Sequence, residues 1–358
     1  MKTIIEVKKI FVTCSVLTLC TACSQVSFTP SPLPDSSLVA PKTQAYTEIV
    51  AAGNKQVDFL IVLDDSNSML PELKKLAARM SSFMNSIESS DIDWQMCLTV
   101  TRSVSGAWGQ PLAWKNYSPQ AGTPVYLLKK GSANLDTIFN DTISQVEIGG
   151  STSGDERAIK ATYENFTLGN PDSGSSHGCY RAGAALSVIA ISDEDERSVG
   201  GNCSLIKSND AADSCKPLET EDIPANLIAH SKNIFGNDIR FTFNSIIVKP
   251  GDKSCEAKQD ENASPSHAGY VYSEMSQLTE GGVGSVCDAD YNGSLNTFKD
   301  KIVNSLNQLA LRCLPDPATM KIKINGKSVT NFKVDKKVLK FSQSLIEGTK
   351  IDLVYDCQ

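Results

Sequence analysis

An apolar run, 59–63, empties into Asp64, Ser66 and Ser68. One carboxylate and two hydroxyls at alternate positions have little use in a core, but they suit a hard cation, which prefers oxygen ligands. Two later stretches offer the same chemistry. "IGGSTSGDERAI" is a Gly-rich loop opening a helix and presents Thr152, with Ser151 as the neighbouring alternative. "VIAISDEDE" ends a second apolar run in Asp193. Together Asp64, Ser66, Ser68, Thr152 and Asp193 give five side-chain oxygen donors. Mg²⁺, or Mn²⁺ or Ca²⁺ in its place, asks for about six oxygens and keeps some as water. Three of the five donors are neutral hydroxyls. The ion therefore stays electrophilic, and an open position on it would attract a carboxylate from outside.

Such donors need elements that bring distant segments to one point. Residues 57–63 read as a central strand covered on both faces, interrupted only by Asp58. Leu70, Leu73, Ala77, Met80, Met84 and Ile87 recur at helical spacing, which predicts an amphipathic helix over 69–89. Strands are expected at 93–101, 184–192 and 239–248, and helices at 133–146, 155–167, 269–279 and 295–311. Strands alternating with helices make an α/β, doubly wound, mostly parallel sheet. In such sheets ligands bind beyond the carboxyl ends of the strands, where Asp64 and Asp193 stand. Two long polar loops, 196–220 and 249–268, carry cysteines. After Cys313 the pattern turns to short alternating strands with an Asn-Gly hairpin signal, so 314–358 is expected to be a small β module packed on the main domain.

Asp-x-Ser-x-Ser after a first strand, a Gly-x-Thr loop and an Asp after a later strand together resemble a von Willebrand factor A (vWA) domain over residues 56–313. The resemblance implies a Rossmann-like fold and a metal-ion-dependent adhesion site. Carried over residue by residue, it makes Asp64, Ser66, Ser68, Thr152 and Asp193 the metal ligands. It further implies that a protein partner completes the coordination with an exposed Asp or Glu. The acids Asp65, Asp155, Glu156, Glu194 and Asp195 are expected to be solvated loop charges, the alternative being a second, Ca²⁺-like ion.

Residues 1–22 read as an export signal: Lys2, Lys8 and Lys9 precede a short apolar run. "LTLCTAC" resembles a bacterial lipobox, which makes Cys23 the lipidated residue and, with Ser24 following, directs the chain to the outer membrane. Residues 23–55 are Pro/Ser-rich and expected to be a tether. Cleavage before Cys23 would change the formal charge from −7 to −9. The acidic balance, with no dense Lys/Arg stripe, argues against nucleic acid as partner. Eight cysteines follow Cys23, an even number that in an exported protein implies disulfides. Connectivity stays open; joining neighbours gives Cys97–Cys179, Cys203–Cys215, Cys255–Cys287 and Cys313–Cys357. His177, His230 and His267 are scattered and no Cys-x-x-Cys occurs, which leaves no zinc motif.

The expected function is adhesion or protein–protein contact by a lipid-anchored, exported protein, on the periplasmic or the cell-surface face of the outer membrane. The alternative is a structural envelope protein that assembles without metal. A hydrolytic enzyme ranks last: no nucleophile–His arrangement and no P-loop is visible. Trp94 reads as core, whereas Trp108 and Trp114 could be either loop anchors or cover for a core edge.

Overall fold

The computed structural model describes residues 42–49, 55–148, 155–174, 176–210, 214–262, 265–342, 345 and 348–358. From Thr43 to Gln358 the chain forms one compact unit. Strand β1 (Thr43–Ile49) comes first. Then β2 (Gln56–Leu63), α1 (Leu70–Glu88), β3 (Asp93–Val100), β4 (Leu128–Lys129), α2 (Leu135–Ile148), α3 (Ala158–Leu168) and β5 (Ala185–Ile191) follow. The α/β region is completed by α4 (Pro224–Phe235), β6 (Phe241–Ile247), α5 (Lys253–Gln259), α6 (Tyr270–Leu278), β7 (Val283–Ser285) and α7 (Asn292–Ser305). Its sheet runs β4-β3-β2-β5-β6-β7. All pairings are parallel except that of β4 with β3.

Strand β2 is unbroken in apolar character because it feeds two cores. Val57, Phe59, Ile61 and Leu63 pack with side chains of α1, α2 and α7. Leu60 and Val62 point the other way, into a core shared with α3, α4 and α6. A strand buried on both faces has no solvent side to mark with polar residues. Helix α1 lays Leu73, Leu76, Ala77, Met80, Met84 and Ile87 onto the first core at helical spacing. Asp58 is the exception within β2. It is buried, and it accepts hydrogen bonds from the backbone N–H and the guanidinium Nε of Arg181. Burial pushes its carboxyl up to about 6, although Arg181 pulls the other way.

Register fixes the end of the sheet that matters. Leu63 lies opposite both Val100 and Ile191, so β2, β3 and β5 stop level. The ladder continues one step: the Asp64 N–H donates to the Ile191 carbonyl at 3.0 Å and the Thr101 N–H to the Leu63 carbonyl at 2.9 Å. Asp64 and Ser192 thus leave the sheet side by side.

The remaining strands form a second body. These are β8 (Gln308–Ala310), β9 (Lys321–Ile324), β10 (Lys327–Val329), β11 (Phe332–Asp335), β12 (Val338–Phe341) and β13 (Lys350–Asp356). One sheet has the order β1-β13-β9-β10 and the other β11-β12-β8. Leu311, Ile322, Leu339, Phe341, Leu345, Ile351, Leu353 and Tyr355 form their shared core. Strand β1 falls within the expected tether, yet it pairs antiparallel with β13 from Thr43↔Asp356 to Ile49↔Lys350. The small β module is therefore built from both ends of the described chain, with the α/β domain inserted between β1 and β8. The helix expected to run to residue 311 stops at Ser305, and Gln308–Ala310 joins the module's sheet. Helices α4 and α5 add to the expected pattern, α5 lying inside the loop 249–268.

Disulfides join Cys97 to Cys179, Cys203 to Cys215, Cys255 to Cys287 and Cys313 to Cys357. Among the described residues no helix is long and apolar enough to cross a membrane. Cys23 and the signal-like segment lie outside the described residues.

Candidate metal centre

Asp64 and Asp193 are fully buried at the carboxyl ends of β2 and β5, and Ser68 is buried with them. The Asp64 carboxylate accepts from the Ser66 N–H at 2.9 Å and from the Ser192 hydroxyl at 2.6 Å. The Ser66 and Ser68 hydroxyls are 2.9 Å apart, and Ser68 Oγ donates to Asp193 Oδ1 at 3.2 Å. Four of the five expected ligands are thus brought together by strand ends and the turn entering α1. Thr152 and its alternative Ser151 lie outside the described residues.

Asp193 Oδ2 is buried and has no hydrogen-bond partner among the described residues. Glu72 Oε2, on the first turn of α1, is in the same condition. Burial first, and then the negative charge of Asp64, raises the Asp193 carboxyl well above the usual carboxylate range. Glu156 and Glu72 push in the same direction. Burial likewise raises Asp64, against the hydrogen bonds from Ser192 and Ser66. A buried acceptor left without a partner costs about 1–3 kcal/mol, and like charges in a low dielectric add to that. Among the described residues no group of three or more His, Cys, Asp or Glu is arranged to hold a metal ion. An ion here would rest on two carboxylates and on hydroxyls, a donor set that suits a hard cation rather than zinc.

No family model matches this sequence, and no curated protein does. Among solved structures, the chain is similar to the pilus adhesin SpaC from Lactobacillus rhamnosus GG, at 13% identity and a TM-score of 0.34, over 89% of this chain and 42% of that one. It is also similar to the human COPII-coat protein Sec24c, at 9% identity and a TM-score of 0.36, over 88% of this chain and 42% of that one. The chain spans less than half the length of either.

The neighbouring acids are not solvated. Asp65, Glu156, Glu194 and Asp195 are all buried, and Glu196 with them. Asp65 pairs with Arg102 at 2.6 Å. Asp155 pairs with Arg197 at 3.1 Å. Asp195 accepts from the Val271 N–H at 3.1 Å, and Glu196 from the Ile159 and Lys160 N–H groups at 2.8 and 3.0 Å. These two carboxylates satisfy the open first turns of α6 and α3, where helix N–H groups have no partner of their own and negative charge is favoured. Burial raises Asp195 to about 7. Glu156 and Glu194 hydrogen bond to each other, and burial pushes Glu156 up to about 8. The loop that does this bends sharply: Arg197 and Ser198 have positive φ, and at Gly200 (φ +63°) a Cβ would sit 2.5 Å from Asp195 Oδ2.

Ser192 and Glu72 are the site residues the ligand pattern missed. Ser192 was legible as a hydroxyl at a strand end; nothing in the sequence marks Glu72. The tryptophans are not exposed anchors. Trp94 and Trp114 are buried, and half-buried Trp108 lies beneath the Arg157 and Lys160 cations at 5.0 and 5.5 Å.

Proposed function

We propose that this chain is an exported, lipid-anchored protein of the vWA type that grips a carboxylate of a protein partner through a divalent cation. The observation that carries this reading is the buried Asp193 Oδ2, which has no partner among the described residues and lies one hydroxyl away from Asp64's neighbours. Two buried carboxylates whose side-chain partners among the described residues are hydroxyls leave a deficit of positive charge, which Mg²⁺ would make good. Asp64, Ser66, Ser68 and Asp193 would hold it, with Thr152 contributing from the segment between α2 and α3. The bound ion would supply a Lewis-acidic position for an acidic side chain of the partner. Lipidation at Cys23 would place the protein at the outer membrane, and the reading assigns it no catalysis.

The test is direct. Calorimetry should register Mg²⁺ or Mn²⁺ uptake, and the melting temperature should rise with Mg²⁺ and fall with EDTA, because an ion bound only by the folded state stabilises it. Capture of a partner should fail with EDTA and with Asp64→Ala. A second reading, metal-independent assembly in the envelope, draws support from the Ser68–Asp193 and Ser192–Asp64 hydrogen bonds, which already tie the strand ends. It predicts melting that ignores Mg²⁺ and EDTA alike, which would rule out the first.

A further inference from the structure

Residues 314–358 hold eight Lys and five acids, a formal charge of +3 within a chain of −7. These lysines make no obvious stripe because they alternate with apolar residues, and only the pleat gathers them. Along β13 and β9 exposure alternates, so the outward positions follow from register. Val354 lies opposite Lys321 and Asp352 opposite Lys323. Ile49 lies opposite Lys350. The outer face of the β1-β13-β9-β10 sheet therefore presents Lys321, Lys323 and Lys350 beside two exposed apolar side chains, Ile49 (66% exposed) and Val354 (39%).

The acids on this face are committed. Asp352 accepts from Thr47 at 2.6 Å and pairs with Lys350 at 3.3 Å, and Asp356 accepts from Thr43 at 2.6 Å. Lys321 and Lys323 form no ion pair within 4 Å among the described residues, although, after the Thr47 hydrogen bond and Lys350, Lys323 opposite Asp352 helps to hold that carboxyl below its usual range. In the α/β domain the buried or half-buried Arg157, Arg181 and Arg197 are held by carboxylates.

We propose that this sheet face rests on an anionic lipid surface. Ile49 and Val354 would enter the headgroup boundary, while the lysine stems lie along it and their ammonium groups meet lipid phosphates. The face begins with β1, which lies inside the segment expected to be the tether. A lipid on Cys23 would keep the face near the bilayer. That setting rests on the proposed lipidation; the contact itself does not.

The test uses the full chain carrying Cys23→Ser, so that no acyl chain forms, with vesicles of phosphatidylglycerol or of phosphatidylcholine. The N-terminal segment contributes equally to every variant and cancels in the ratios. Binding should favour phosphatidylglycerol and weaken with salt. At about five-fold per lysine, Lys321→Glu with Lys323→Glu should lower the partition about 25-fold or more. Lys333→Glu with Lys336→Glu changes net charge equally but lies on the β11–β12 hairpin of the other sheet, and should cost less than five-fold. No preference for phosphatidylglycerol, or equal losses from the two pairs, would overturn the proposal. Whether Cys23 is acylated in the wild type is read separately, by mass spectrometry.

Discussion

Strand β2 carries a buried acid near each end, and the two are treated differently. Asp58, near its start, faces an arginine: Arg181 contacts it at 2.7 Å and also reaches Asp93 at 2.6 Å. Asp64, just past its end, faces hydroxyls, with Asp193 as a second uncompensated acid nearby. Asp58, Asp64 and Asp193 are themselves equally buried, so the burial of the acids does not separate the two ends. What separates them is the source of positive charge. At one end the chain supplies its own cation; at the other, no cationic side chain among the described residues pairs with Asp64 or Asp193. A protein that retains two buried carboxylates without a cation bears a standing cost, and that cost is reasonable where an ion or a partner is to remove it.

Breaking the compensated end should have the largest effect. Arg181→Ala leaves Asp58 buried without its partner, and denaturant unfolding should show a loss of about 3–5 kcal/mol. The uncompensated end should respond with the opposite sign. Asp193→Asn removes a repelled charge, so the metal-free protein should gain about 1–2 kcal/mol, in line with the usual cost of a stranded polar group. The same variant should lose its response to Mg²⁺. In the wild type, Mg²⁺ at about 100 times its Kd should add about 2.7 kcal/mol. If Asp193→Asn destabilises the chelated protein as Arg181→Ala does, the contrast between the two ends fails.

The end of β2 was legible in the sequence because a strand covered on both faces is a continuous apolar run, and its exit into Asp64, Ser66 and Ser68 is abrupt. Asp193 was legible for the same reason at β5. The acids after it were not. Asp195 and Glu196 look like solvated charges until the helices they cap are known, and those helices start at Tyr270 and Ala158, remote in sequence. Strand β1 was hidden for a similar reason. Its residues alternate between exposed and half-buried only because β13 lies alongside, at the far end of the chain. At the end of α7 the helical period misled: Leu306 and Leu309 extend the apolar stripe of Leu295, Phe298 and Ile302, but Leu309 packs in the β module instead. Local pattern reports burial; it does not report which body a residue is buried in.

The compensated end should also respond to pH. The Asp58 carboxyl is raised to about 6 when folded, with burial outweighing Arg181. A carboxyl raised in this way binds its proton more tightly in the folded chain than in the unfolded one. Its contribution is therefore complete below about pH 4 and is lost as pH rises through about 6. Relative to Asp58→Asn, which cannot titrate, the wild type should lose at most about 3 kcal/mol between pH 4 and pH 7. Unfolding curves across that window check it, and a wild type that gains stability relative to Asp58→Asn over the same window would reverse the sign.

The weakest effect is expected where a carboxylate is paired but wet. Glu219 bonds Arg157 at 2.6 Å, Lys160 at 2.9 Å and Arg197 at 2.8 Å, yet its side chain is 46% exposed. Its hydrogen bonds to Arg157 and then Lys160 hold its carboxyl down at about 2. A carboxyl lowered in this way contributes stability above about pH 4.5, the range in which the unfolded chain is also ionised, and loses it as pH falls toward 2. Water screens the pairs, so Glu219→Gln should cost less than about 1 kcal/mol at neutral pH, shrinking as salt rises. Arg157 keeps Asp222, buried at 2.7 Å, whichever residue stands at 219. A loss from Glu219→Gln as large as that from Arg181→Ala would mean that exposure does not grade these pairs.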